Sequence, residues 1–436
     1  MNVVKVGLLG FGTVGCGVVK AFQKNGELLA RRLGHPVELV RIADLDITTA
    51  RPVQVDRELL TTDAAAIIDN PDIDIVIELI GGYEPARTFV LRAIANGKHV
   101  VTANKALLAL HGEEIFQAAE RAGVDVMFEA SVGGGIPIIS AVKENLGVNA
   151  FQSVFGILNG TCNYILTRMT DEGEDFAKVL ADAQAKGYAE ADPTFDVEGI
   201  DTAHKLALLT SLCFGTRVDF KSIYTEGITR ITALDIQYAR EFGYKFKLLA
   251  IGKRVNGEIE ARVHPTMLPL DHPLANVDGV FNGVRLVGDF VGPVMLYGYG
   301  AGMDATASAV MGDVMAIARN LRAGIGTRTP AMGCPQGAVA NLAVRPMEQL
   351  VSSYYLRVFA RDQPGVLAQI AGVLGRYRIS IESMIQPLRH EADAVPIVLM
   401  THEALERDVR AAMAEIDQLE AICGKSLFVR IEEGLE

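Results

Sequence analysis

Tyr188, Glu190, Asp192, Asp196, Glu198, Asp201, His204 and Lys205 crowd into one short stretch of an otherwise apolar chain, just before the run Leu206-Ala-Leu-Leu-Thr. The spacing predicts a helix from Ile200 to Thr210, and on a helix residues four apart share a face, so Asp201 and Lys205 stand side by side. Leu206 and Leu209 draw that helix into a core and leave the pair at the edge of buried space. An ammonium there can have its pKa moved, which suits it to proton transfer. The same spacing also fits an ordinary ion pair on a solvated helix, so the rest of the chain decides between the two.

The amino-terminal residues supply the first element that must position such chemistry. Val3 to Leu9 is a short apolar run of strand type leading into Gly10-Phe11-Gly12-Thr13-Val14-Gly15 and then the helix-compatible Val18-Val19-Lys20-Ala21-Phe22. In a strand, glycine turn and helix of this kind, Gly10 permits the turn and Gly12 lets backbone approach a pyrophosphate. Gly15 lets helix and strand pack closely, and the diphosphate sits on the helix N-terminus. Val37 to Ala43 reads as the second strand. Asp44 or Asp46 lies near its end, where an acid binds the adenosine ribose hydroxyls, and either acid also suits a plain turn. Arg41 and Arg51 are close by and could hold the extra phosphate of the phosphorylated cofactor, so both nicotinamide nucleotides stay open. The spacing from the glycines is roughly 30 residues rather than the usual 20, which implies a longer first helix or loop.

Ile73 to Ile80 reads as a buried parallel strand ending at Gly81-Gly82, and His99 to Ala103 as another ending at Asn104-Lys105. Ligands in open α/β sheets bind outside such strand ends, which places Lys105 near the nicotinamide or the substrate. Val124 to Glu129 makes a further strand before the glycine loop Ala130 to Pro137, whose main-chain groups could hold a ligand or a cation, or simply connect domains. Phe151 to Leu158 alternates toward a strand and ends in the polar turn Asn159 to Asn163, a candidate pocket rim. Tyr297 to Gly302 precedes a small-residue helix start at Ala305, so Gly302 could abut a cofactor.

At 436 residues with half of them apolar, the chain can bury a large core in two or three domains. Its formal net charge of -12 and the lack of a basic stripe with interleaved aromatics exclude nucleic acid and anionic membranes as partners. Cys16, Cys162, Cys213, Cys334 and Cys423 lie scattered without metal or redox spacing, as reduced thiols of a cytoplasmic protein do. The apolar opening is too short and too broken by glycine to span a bilayer.

The last segment reads as a separate unit. Tyr354 to Ala360 alternates as a strand, Arg361 to Gly365 turns, and Val366 to Tyr377 has helical spacing. Strands at Ile379 to Met384 and Ile397 to Met400, a helix from Leu405 to Leu419 and a strand near Leu427 to Ile431 complete a βαββαβ order. With its Asp362-x-Pro-Gly-Val366 turn, the unit is similar to the ACT regulatory domain. Such domains pair to bind amino acids at their interface, which implies threonine as a possible effector; the alternative is a dimerising module without a ligand.

In this order, the Gly10 to Gly15 turn, Thr102-Ala-Asn-Lys105, Glu129 to Pro137, Leu158-Asn-Gly-Thr-Cys-Asn163, Gly187-Tyr-Ala-Glu-Ala-Asp-Pro193, Asp201 to Lys205 and Gly300-Ala-Gly302 resemble homoserine dehydrogenase over essentially the whole chain. The resemblance implies interconversion of L-homoserine and L-aspartate 4-semialdehyde with NAD(P), in threonine, methionine and isoleucine biosynthesis. It makes Lys205 the proton donor and acceptor and places Lys105 beside the reacting centre and cofactor. Glu190 and Asp201 would hold the substrate's polar groups, and Gly187 and Gly302 would line the nicotinamide. It further implies a monovalent cation, usually sodium, on Glu129, Val132, Gly134 and Ile136, and a homodimer or homotetramer. No kinase-like segment precedes Met1, so the expectation is the single-function form of the enzyme.

The readings together predict an α/β chain with a Rossmann-type doubly wound nucleotide domain over residues 1–135 and a returning helix at about 305–332. An α+β substrate and dimerisation domain covers 136–304, a linker 333–350 and a ferredoxin-like βαββαβ ACT domain 351–436. Two rivals carry tests. A hydroxy-acid dehydrogenase with the same tail would want an arginine and histidine pair, which the Glu190, Asp201 and Lys205 set does not supply. A non-catalytic sensor of nucleotide and amino acid would leave nicotinamide absorbance unchanged with homoserine.

Overall fold

The computed structural model describes residues 3–386 and 394–434; the parts of the expected ACT domain at 387–393 and 435–436 lie outside the described residues. Strands β1 (Val4–Leu9), β2 (Val37–Ala43), β3 (Leu60–Thr61), β4 (Ile75–Glu78), β5 (His99–Thr102) and β6 (Val126–Met127) form a parallel sheet in the order β3-β2-β1-β4-β5-β6. This is the doubly wound arrangement, in which ligands sit where the strand order reverses beside β1. The central strands β4 and β5 are buried at every position, as expected of strands covered by helices on both faces. Helices α1 (Thr13–Leu33), α2 (Ala65–Ile68), α3 (Ala86–Ala95) and α4 (Lys105–Ala122) make the connections.

After the short turn α5 (Ile138–Ser140) the chain builds the substrate half from β7 (Phe151–Ile157), α6 (Gly160–Glu172), α7 (Phe176–Ala185), α8 (Thr194–Val197), α9 (Ile200–Phe214), β8 (Tyr224–Thr225), α10 (Ala233–Glu241), β9 (Tyr244–Val255), β10 (Glu258–Pro269), β11 (Phe281–Gly288) and β12 (Gly292–Tyr299). Strands β12-β11-β7-β9-β10 run antiparallel side by side, and α6 and α9 pack on them. Helix α11 (Met303–Arg322) then returns to the first sheet. Its Ala307, Val310, Val314 and Ile317 join Val18 and Val19 of α1 in one apolar cluster, and Lys20 pairs with Asp304 at 2.7 Å. The carboxyl-terminal part contributes β13 (Val351–Ala360), α12 (Val366–Arg376), β14 (Ile381–Ile385), β15 (Val395–Thr401), β16 (Ala404–Leu405), α13 (Glu406–Ile416) and β17 (Leu427–Ile431).

Strands β17-β13-β15-β14 are the ferredoxin-like order. They do not stand alone, because β17 pairs in parallel with β10, Thr266 opposite Arg430 and Met267 opposite Ile431. The substrate half and the carboxyl-terminal part therefore share one 11-stranded sheet. Among the described residues no helix is long and apolar enough to cross a membrane.

Candidate active site

Helix α9 is buried along nearly its whole length, so its polar residues must find partners inside the protein. Lys205 is 9 % exposed, and its Nζ donates to Asp201 Oδ2 at 2.6 Å and to the Leu158 carbonyl at 2.7 Å. An ammonium has three hydrogens, so one direction remains for a substrate oxygen. Burial pushes the Lys205 ammonium toward neutrality and the positive charge of Lys105 adds to that, while Asp201 opposes it. Burial alone would raise the Asp201 carboxyl, but the Lys205 and Lys105 ammonium groups outweigh it and hold Asp201 well below the usual carboxylate range.

Lys105 arrives from the other sheet. It opens α4 at the end of β5, where Asn104 caps the helix by accepting from Leu107 N, and Asn104 Nδ2 donates to the Gly82 carbonyl at 2.7 Å. Its Nζ lies 3.1 Å from Asp201 Oδ1, so one carboxylate is held between two amines from different domains. Asn159, the cap of α6, completes the cluster. Its Nδ2 donates to Asp201 at 2.9 Å and to Asp196 at 2.7 Å, and its Oδ1 accepts from Cys162 N. Burial raises the Asp196 carboxyl, with the Asn159 bond acting against it.

These groups line a cavity of about 670 Å³ between the two sheets. Lys105, Gly187, Asp201, Lys205, Gly302 and Val14 all face it, so strand ends, the first glycine turn and α9 converge as the sequence requires. The nucleotide side fits a dinucleotide. Gly10 has φ of +98°, and a Cβ on Gly15 would lie 2.2 Å from the Gly10 carbonyl, so the tight turn excludes side chains there. A Cβ on Gly12 would meet nothing within 4 Å, and Gly12 caps α1 without any side-chain bond, which leaves open space at a helix start suited to phosphate. Thr13 begins that helix and Phe11 is buried beside it. Asp44 lies at the end of β2 as read from the sequence, and its carboxylate accepts from Phe11 N at 2.5 Å and Asp46 N at 2.9 Å. It thus clamps the glycine turn.

The loop expected to hold a cation is packed against the same cavity. The Glu129 carboxylate accepts from Ile139 N at 2.7 Å and Ser140 N at 2.8 Å, while the Ile136 carbonyl accepts from Ile138 N. The carbonyls of Val132 and Gly134 accept no main-chain hydrogen bond among the described residues. Main-chain oxygens of this kind suit a hard monovalent cation. Gly134 also abuts the Gly300 carbonyl, so whatever orders this loop also orders the cavity wall before Gly302.

Glu190, expected from the resemblance to hold a polar group of the substrate, is not brought into the cavity. It is exposed on the turn after α7 and does not line the cavity; its main-chain carbonyl accepts from Gln184 Nε2 at 3.0 Å at the surface. Asp196, a member of the same acidic cluster that was given no role, lines the cavity instead. Its place at the end of the short helix α8 carried no sequence signal. Nor did Glu78, fully buried at the end of β4, which ties β4 to β5 by accepting from Thr102 Oγ1 at 2.6 Å.

Family models for homoserine dehydrogenase match residues 137–315, for the homoserine dehydrogenase NAD binding domain residues 10–129, and for the ACT domain residues 354–421. A homoserine dehydrogenase of Pseudomonas aeruginosa is 46 % identical over 99 % of this chain and 100 % of its own length. The chain belongs to the homoserine dehydrogenase family. A crystal structure of a homoserine dehydrogenase from Thiobacillus denitrificans superposes with a TM-score of 0.92 at 47 % identity, covering 99 % of both chains. A hyperthermophilic archaeal homoserine dehydrogenase in complex with NADPH gives a TM-score of 0.63 at 25 % identity, over 74 % of this chain and 98 % of that one.

As a homoserine dehydrogenase the protein is an oxidoreductase with an NAD binding domain and an ACT domain, interconverting L-homoserine and L-aspartate 4-semialdehyde in amino-acid biosynthesis. The rival hydroxy-acid dehydrogenase and sensor readings give way to it.

Proposed function

We propose that Lys205 carries the proton of this reaction. The observation behind the proposal is a buried amine with two protein acceptors and one open direction, facing the cavity that also holds the nucleotide turn. Oxidation of the homoserine alcohol moves a hydride from carbon and a proton from oxygen. The nicotinamide, when bound, accepts the hydride. Neutral Lys205 takes the proton, and in the reducing direction its ammonium returns it. Lys105 keeps the amine from being permanently charged and stands beside the reacting centre and the cofactor. Asp201 fixes the separation of the two lysines and accepts from a polar group of the substrate.

Gly10, Phe11, Gly12, Thr13, Val14 and Gly15 would hold the dinucleotide, as NAD or NADP, with Asp44 serving its ribose and Gly187 and Gly302 its nicotinamide. The oxygens of Glu129, Val132, Gly134 and Ile136 would hold a sodium ion, which would order this loop. The division into residues 1–135, 136–304, 333–350 and 351–436, a homodimer or homotetramer, a cytosolic location and threonine acting through paired ACT domains belong to the same proposal. Its support is the family, together with five cysteines that are all free thiols.

Glu190, by the family resemblance, is assigned the substrate ammonium. Replacing it by Gln is expected to raise the Michaelis constant for homoserine roughly ten- to hundredfold, the loss of one charge-assisted hydrogen bond. Initial rates of nicotinamide absorbance with homoserine as sole substrate give that number for Glu190→Gln and Asp196→Asn. An unchanged constant in the first and a raised one in the second transfers the role to Asp196.

A further inference from the structure

Strand β4 is covered by helices on both faces, and its Ile75, Val76 and Ile77 are apolar as such a strand requires. It nevertheless ends in Glu78, which is 0 % exposed. A buried carboxylate is costly unless donors meet it, and among the described residues its donors are all neutral. Oε1 accepts from Ile80 N at 2.8 Å and Gly81 N at 3.3 Å, and Oε2 accepts from Thr102 Oγ1 at 2.6 Å. Neither the hydride nor the proton transfer uses this group.

These bonds join two strand ends. Thr102 closes β5, and its Oγ1, while donating to Glu78, accepts from Asn104 N at 3.0 Å. Asn104 in turn donates from Nδ2 to the Gly82 carbonyl at 2.7 Å and caps α4 by accepting from Leu107 N at 3.1 Å. A closed ring thus runs from Glu78 through Thr102, Asn104 and Gly82 back to Glu78, and the residue that follows Asn104 is Lys105. A lysine carries its charge on a flexible four-carbon stem, so the ammonium reaches a fixed point only if the start of its helix is fixed. Here it must meet Asp201 Oδ1 at 3.1 Å across the boundary between the two sheets.

We propose that Glu78 is a positioning residue for the reaction, which through Thr102 and Asn104 sets where the Lys105 ammonium stands against Asp201. Glu78 does not line the active cavity, so it acts only through this ring. The groups facing the Lys205 amine are Asp201 on its own helix, Asp196 from α8, the Cys162 thiol from α6 and Lys105 from α4. Of these, Lys105 alone is placed by the ring, and its positive charge favours the neutral amine, so its withdrawal raises the pKa of Lys205. Loss of the Glu78 charge acting directly would lower that pKa. The opposite signs separate positioning from plain electrostatics. The pH readout rests on Lys205 carrying the proton; the placement of Lys105 does not.

Homoserine oxidation measured against pH on Glu78→Gln, Thr102→Val and Thr102→Ser, with a crystal structure of each, tests this. Glu78→Gln removes a buried charge that has no cation partner and keeps its shape, so it should fold even where Thr102→Val does not. In both, the ionisation of turnover is expected to move up by about one pH unit, read as an about tenfold loss of rate at any pH well below it. The separation of Lys105 and Asp201 is expected to lengthen from 3.1 Å past the ion-pair limit of about 4 Å. Thr102→Ser keeps the hydroxyl and should keep the profile and the separation of the original. An unchanged separation in the folded Glu78→Gln or Thr102→Val, an ionisation that stays or falls in them, or Thr102→Ser behaving as Thr102→Val would overturn the proposal. If the ionisation persists in Lys205→Ala, the assignment of the proton to Lys205 fails and the separation alone decides on Glu78.

Discussion

Lys205→Ala should lower turnover with homoserine by about 10²- to 10⁴-fold, the range for loss of a general acid or base, while nucleotide affinity stays within a few-fold of the original. The reason is positional. Lys205 touches no part of the glycine turn, and its contacts are Asp201 and the Leu158 carbonyl on the substrate half. Nucleotide titration by fluorescence and steady-state rates separate the two quantities. Full turnover in the variant would remove Lys205 from the mechanism, and a collapse of nucleotide affinity would make its role structural.

Asp201→Asn should cost about 3–5 kcal/mol of stability near neutral pH, because it leaves the buried Lys205 ammonium beside Lys105 without its directly bonded carboxylate, and Asp196 offsets the two charges only without a direct bond. In the original protein the Asp201 carboxyl is held below its ordinary value, so its contribution is present above the ordinary carboxylate pKa and is lost as pH falls through the folded value. In the variant the sign reverses. Lys205, already pushed toward neutrality by burial, loses the carboxylate that opposed this, so its folded pKa falls further below the unfolded one. The penalty is then full at low pH and shrinks as pH rises toward the ordinary lysine pKa of about 10.4. Urea unfolding at several pH values measures it. A loss under about 1 kcal/mol, as for exposed ion pairs, would mean that the cluster is solvated.

The parts of the site legible in the sequence are those set by local rules. A turn that admits only glycine at positions 10 and 15 announces itself, because the Gly10 carbonyl leaves no room for a Cβ at Gly15. The four-residue spacing of Asp201 and Lys205 holds on any helix, and the end of β5 placed Lys105 where the strand order predicts. Glu190 was another matter. Which face of the turn after α7 points inward depends on α8, and α8 is seated by the contact of Val197 with Gly227 and Ile228, far along the chain. Asp196 gained its place by the same contact. The joining of β10 to β17 was illegible for a related reason, since the strand pattern of Leu427 to Ile431 is satisfied equally inside a free-standing ACT sheet. The buried Arg430, with Glu406 and Glu226 on either side, records that pairing only once the chain is folded.

The most direct test of the account is the pH dependence of turnover for homoserine oxidation, taken on the original protein and on Lys205→Ala. Since oxidation needs the neutral amine and burial lowers its pKa, turnover in the original should rise with pH along one ionisation below that of free lysine, about 10.4, and the residual rate of the variant should lack that ionisation. The same ionisation persisting in Lys205→Ala would contradict the account, because another group would then be carrying the proton.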